Sequence, residues 1–177
     1  MMANDPRPLT TEPLALDLLN TEWIDDGGRQ DLLADIRGLR VWLRTAGLGS
    51  TPVDAAALEH LREARAAIRA VLEDPGTQAR ADVNAVLARG HVVDRLGPAG
   101  PESEVVVGDP SWRAAHLAVR DLLALLRDHP GRLRACAGDG CILHFLDTSR
   151  SGRRQWCSMT VCGNRAKARR HYARTRT

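Results

Sequence analysis

Residues 136–165 read CAGDGCILHFLDTSRSGRRQWCSMTVCGNR, and they hold all four cysteines of the chain. Four residues separate Cys136 from Cys141, four separate Cys157 from Cys162, and fifteen lie between the two pairs. Two close pairs joined by a hairpin-sized insert are the pattern of a tetrahedral four-thiolate site. Each tight turn supplies two sulfurs, and the insert lets the second turn face the first. Zinc suits such a set, because it takes four ligands at about 2.3 Å and has no redox chemistry. Other uses of cysteine fit less well. A redox dithiol normally leaves two residues between its thiols, and iron–sulfur clusters use tighter runs. Disulfides belong to exported chains, and Met1–Thr10 carries no charged-then-apolar leader. His144 could replace one thiolate, but four cysteines already fill the tetrahedron. The metal is therefore expected to be structural, with no open position for a catalytic water.

Within the insert, Ile142–Leu146 reads as a strand, Asp147–Gly152 as a turn and Arg153–Trp156 as the returning strand. Phe145 and Trp156 are placed to pack across that small sheet. So little apolar mass cannot fold alone, and zinc would have to contribute on the order of 10 kcal/mol. Past Cys157, Ser158 is expected to cap a helix running to Arg174. At 100° per residue Cys162, Ala166 and Ala173 share a narrow stripe, flanked by Arg165, Arg169 and Arg176 on one side and Lys167, Arg170 and Arg174 on the other. Such a helix has no broad apolar face to hold it on a core. With the turn arginines Arg150, Arg153 and Arg154, it reads as a surface for phosphates, which gives strong, salt-sensitive binding. Asn164 and Arg165 also have the chemistry of base edges, since Asn pairs with adenine and Arg with guanine. Part of the positive charge would offset the net charge of about −2 on a zinc held by four thiolates.

Charge draws the same boundary as cysteine. The whole chain has 177 residues and a net charge of +3. Residues 1–130 hold 14 basic and 20 acidic side chains, whereas residues 131–177 hold 11 and 2. The chain is therefore expected to divide into an acidic body, 1–130, and a basic finger, 131–177. No run approaches the ~18 apolar residues of a membrane span, and the expectation is a cytoplasmic protein that does not engage membranes.

The body reads as mainly helical. Glu12–Asn20 forms a short helix, Asp25–Gly28 a loop, and Arg29–Ala46 an amphipathic helix with Leu32, Leu33, Ile36, Leu39 and Leu43 inward. Thr51-Pro52 opens a helix to about Glu73, with Leu58, Leu61, Ile68, Val71 and Leu72 inward. Thr77 is expected to cap another helix to Arg89. His91–Val93 and Val105–Val107 flank a hairpin turn, and Asp109-Pro110 opens a helix to Arg127 with Val119, Leu122, Leu123 and Leu126 on its apolar face. Trp23, Trp42 and Trp112 read as core anchors. The histidines His60, His91, His116 and His129 lack metal spacing, and no phosphate loop or nucleophile elbow appears. Nothing in the body reads as catalytic, so the chain is expected not to be an enzyme.

The run Cys136-Ala-Gly-Asp-Gly-Cys141, then Phe145-Leu-Asp-Thr-Ser149, Arg153-Arg154-Gln-Trp156-Cys157-Ser-Met159 and Cys162-Gly163-Asn164-Arg165-Ala-Lys167 resembles the CGNR zinc finger of bacterial proteins. Leu14-Ala-Leu-Asp-Leu-Leu-Asn20-Thr21 and the helix end Ala46-Gly47-Leu48 resemble, less specifically, the ABATE domain that precedes this finger. The resemblance implies a stress-associated transcription regulator, with zinc on Cys136, Cys141, Cys157 and Cys162 and motif residues Gly163, Asn164 and Arg165.

The expected fold class is mainly α: a multihelical body with one β-hairpin, then a finger of two cysteine turns, a hairpin and a basic helix. The expected function is zinc-dependent binding of double-stranded DNA in transcription control, with the body dimerising or sensing a small-molecule effector. The rival readings are an RNA-binding finger and a protein-interaction module with a structural zinc.

Overall fold

The computed structural model describes residues 5–175, with side chains through Arg169. The body begins with helix α1 (Leu14–Leu19), strands β1 (Glu22–Asp25) and β2 (Gly28–Asp31), a 3-10 turn at Leu32–Ala34 and helix α2 (Ile36–Thr45). Helices α3 (Ala55–Glu73) and α4 (Thr77–Leu87) follow, then the hairpin β3 (Gly90–Gly97) and β4 (Gly100–Val107), and α5 (Arg113–Asp128). The finger consists of β5 (Leu133–Ala135), β6 (His144–Leu146), a π-helical turn (Met159–Gly163) and α6 (Asn164–Thr175). Each of the three antiparallel strand pairs is a separate two-stranded sheet.

The body core forms where α1, α3, α4 and α5 meet. Small residues set the α3–α5 approach: Ala57, Ala64 and Ala67 lie on one side, and Ala114, Ala115 and Ala118 on the other, all buried. Around them sit Leu16, Leu19, Leu33, Leu39, Trp42, Leu61, Ile68 and Leu122, each 1% exposed or less. Trp23 and Trp112 are also buried, and the Trp112 ring stacks on His60 with centroids 3.7 Å apart. On α5 the inward set is Val119, Leu122 and Leu125, whereas Leu123 and Leu126, expected inside, are exposed.

Two body segments depart from the sequence reading. The stretch expected to be a loop plus one long helix holds a hairpin, with Glu22 opposite Asp31 and Asp25 opposite Gly28. Asp25 Oδ1 accepts from the Gly27 amide at 2.8 Å, and Gly28 turns the chain at φ +99°. The periodic leucines Leu32 and Leu33 then sit in a 3-10 turn capped by Asp31, whose Oδ1 accepts from the Leu33 amide. Helix α2 starts only at Asp35, which accepts from the amides of Arg37 and Gly38. A Cβ on Gly38 would lie 1.5 Å from the Leu32 carbonyl oxygen, so only glycine lets the two segments meet. Aspartate rather than threonine also caps α3, through Asp54 Oδ1 and the Ala57 amide.

A half-buried ion pair ties the new hairpin to α3. Arg65 donates to both oxygens of Asp31, at 2.6 and 2.8 Å, and to Thr21 Oγ1. Burial opposes the Asp31 charge, yet the Arg65 guanidinium outweighs it and holds this carboxyl below its ordinary pKa. Among the described residues, no helix is long and apolar enough to cross a membrane.

Candidate metal centre and basic helix

The first cysteine turn closes through the Cys141 amide, which donates to the Gly138 carbonyl at 3.0 Å. The Gly138 amide points at Cys136 Sγ, 3.4 Å away, and the Cys157 amide donates to the same sulfur at 3.3 Å. Two N–H donors thus already address a sulfur that would carry negative charge on a metal. A Cβ on Gly138 would lie 3.1 Å from Cys162 Sγ, so a larger residue there would push the two turns apart by a few tenths of an ångström. On the second turn, Ser158 Oγ accepts from the Val161 amide, the cap expected from sequence, and the Gly163 amide reaches the Ser158 carbonyl across a π turn.

The four sulfurs lie within 4.8 Å of one another. Cys141–Cys157 and Cys157–Cys162 are separated by 3.8 and 3.7 Å. Four sulfurs at ~2.3 Å from a tetrahedral zinc would be about 3.8 Å apart, so the cluster fits that ion. His144 is outside the cluster. It is buried on β6 beside the end of α3, where burial foremost, with Arg69, lowers its pKa.

Without a metal the thiols cannot all ionise together. The hydrogen bond from Cys157 lowers Cys141 to about 5 and, from the donor's side, raises Cys157 far above the thiol range. Burial, aided by the Cys141 thiolate, raises Cys162 to about 11. Zinc must then displace protons from Cys157 and Cys162, so uptake at neutral pH will release at least two protons. Affinity rises with pH in consequence, on the order of 100-fold per unit around neutrality. Indicator-dye measurement of protons released per zinc in weak buffer checks this.

The finger hairpin differs from the expected one. β6 pairs with β5, which precedes the first cysteine, with Leu133 opposite Leu146 and Ala135 opposite His144. Arg153–Trp156 is not a strand, and the Ala137 amide donates to the Gln155 carbonyl at 2.8 Å. Asp147 is the reason. Its Oδ1 accepts from the Ser149 amide and hydroxyl and its Oδ2 from the Arg154 amide, closing the loop on a buried carboxylate. Phe145 is fully buried, and Trp156 packs half-buried against the same core.

The candidate phosphate contacts divide into four groups. Arg150, Arg153, Asn164, Arg165 and Lys167 are exposed, and Asn164 Nδ2 donates back to the Thr160 carbonyl. Arg154 is occupied inside the finger: it donates to the Trp156 and Cys157 carbonyls and lies 4.3 Å over the Phe145 ring. Its work is to hold the second cysteine turn, which the charge count could not reveal. Arg169 is exposed and forms an ion pair with Asp139 of the first turn. The side chains of Arg170 and Arg174 lie outside the described residues.

Sequence reasoning also missed the bond between body and finger. Asn20, wholly buried at the end of α1, donates to the His144 carbonyl and accepts from the His144 amide, both at 2.9 Å. Glu12 accepts from the Leu146 amide at 2.8 Å. Two body side chains thus pair with backbone of β6, and the buried core runs unbroken from Leu16 to Phe145 and the cysteines. The signal was present in the Leu14–Thr21 run, which supplies Asn20. Replacing Asn20 by Ala will leave two buried backbone groups unpaired and lower stability by about 2 kcal/mol or more. A urea midpoint shift at unchanged slope measures it.

The comparisons agree with this architecture. The family model described as "CGNR zinc finger" matches residues 132–175. The ABATE model, described as "Putative stress-induced transcription regulator", matches residues 12–129. A search of curated proteins returned no match. With more than half of its length on the second model, and with the four cysteines of the first gathered in a zinc-sized cluster, the chain belongs to the ABATE family and ends in a CGNR zinc finger.

Proposed function

We infer that the protein is a DNA-binding transcription regulator whose zinc finger presents α6 to duplex DNA while the body senses or dimerises. The supporting observation is the placement of Arg165 and Lys167, exposed on a helix whose start is fixed by Cys162, with exposed Arg150 and Arg153 on the same finger. A cluster that holds its metal with four thiolates leaves no coordination position for chemistry, and we read the zinc as structural and the chain as non-catalytic. One short helix gives a small interface, so two copies on paired half-sites belong to the same proposal.

The described part of α6 is exposed rather than packed on the body, so its cations are open to a partner outside the chain. Selection of genomic DNA fragments by the zinc-loaded protein is the test. Enrichment of a shared sequence is expected, and the variant with Arg165, Lys167 and Arg170 changed to Ala will lose it. Each lost phosphate contact will flatten the plot of log affinity against log salt by about 0.9. Equal recovery by wild type and variant, or preference for RNA in competition, overturns the proposal.

A further inference from the structure

A cavity of about 230 Å³ opens in the body beside its junction with the finger, lined by Arg7, Thr10, Glu12, Asp17 and Thr45 among others. Its charge is unbalanced. Arg7 is a buried guanidinium shared between Asp5 and Asp17, so among the described residues one cation is ion-paired with two carboxylates before Glu12 is counted. Asp17 Oδ2 accepts from Arg7 Nη1 and from the Trp42 indole, each at 2.8 Å. Its other oxygen, Oδ1, is buried with no hydrogen-bond partner among the described residues, on a side chain only 8% exposed. Glu12 spends Oε2 on the Leu146 amide of the finger. Arg154, the finger cation that attracts Glu12, is held by the Trp156 and Cys157 carbonyls. Burial foremost raises both carboxyls above their ordinary pKa, outweighing Arg7 and the Trp42 indole at Asp17 and the Leu146 amide at Glu12.

A buried, unpartnered carboxylate oxygen next to a second carboxylate calls for a compact cation with several N–H donors. The cavity has room for a small aliphatic molecule and not for a nucleotide. We propose that it is an effector site for small primary amines, with the ammonium group between Asp17 and Glu12 and the aliphatic part toward Leu14 and Ala46. Because Glu12 also holds the Leu146 amide, occupancy is transmitted directly to β6 and hence to the metal-bearing finger. The site deepens the sensing role proposed for the body, but its binding test involves no DNA, so either reading can fail without the other.

The test uses the full zinc-loaded chain with methylammonium and 1,4-diaminobutane as probes. Tetramethylammonium at matched ionic strength controls for charge without donors. Saturable NMR shifts of the Trp42 indole N–H and the Leu146 amide are expected, with dissociation constants in the millimolar range or tighter. Glu12→Gln keeps an acceptor for Leu146 and removes the charge, and it will weaken binding at least ~10-fold. Thr10→Val, on the exposed rim, supplies a second variant, with a smaller loss expected. Shifts that never saturate, an equal response to tetramethylammonium, or unchanged binding in both variants overturn the proposal.

Discussion

Chelating the zinc will destabilise the whole chain and not only its last 47 residues. The finger has little apolar mass of its own, and a structural zinc contributes on the order of 10 kcal/mol to such a unit. Here the finger also lends Leu143 and Phe145 to the common core, and its β6 backbone is the partner of Asn20 and Glu12. Without the metal those contacts lose their scaffold. Loss of even ~3 kcal/mol from the remaining body corresponds to a fall of about 6–12 °C in its melting temperature. Calorimetry is therefore expected to show one transition with zinc and a lower one after chelation. Cys157→Ser will act in the same direction. A body transition unmoved by chelation would mean that the finger hangs independently.

Phe145→Ala will be the most damaging single change outside the cysteines. The ring is fully buried, and Arg154 covers it at 4.3 Å while holding the Trp156 and Cys157 carbonyls. Removing a buried Phe side chain costs about 3–5 kcal/mol, and losing the cation–π contact adds about 0.5–2 kcal/mol. Freed from its platform, Arg154 also holds the second cysteine turn less firmly, so zinc affinity will fall with stability. Urea unfolding and zinc competition against a chromogenic chelator read the two effects separately. A cost below ~1 kcal/mol, at the level of an ordinary surface substitution, would contradict the role assigned to this ring.

The parts of this molecule legible in its sequence are those whose chemistry is written at fixed spacing. Four cysteines in two pairs marked the cluster that the fold gathers, and a hydroxyl before the second pair's helix identified its cap. Long helices such as α3 and α5 were legible from apolar period, although Leu123 and Leu126 show that period alone misplaces a face by one residue step. The misreadings share a cause. At 22–35 and again at 147–154, aspartate side chains cap amides two or more residues away and override the local apolar pattern. Asn20 and Arg154 show a second limit. Their side chains bond backbone carbonyls, 124 residues away for Asn20 and two and three residues on for Arg154, and no pattern of residue types marks a carbonyl.

The central claim is that zinc organises the finger so that the cations of α6 and the preceding loop meet nucleic acid. Its most direct measurement is the equilibrium affinity of the full chain for genomic duplex DNA, with and without zinc, across a salt series. The account predicts tight binding with zinc, weakening steeply as salt rises because several phosphates are neutralised together. After chelation, affinity should drop by orders of magnitude while the basic sequence is unchanged. Equal binding with and without zinc would show that charge alone suffices, and the metal-built geometry would then have no part in recognition.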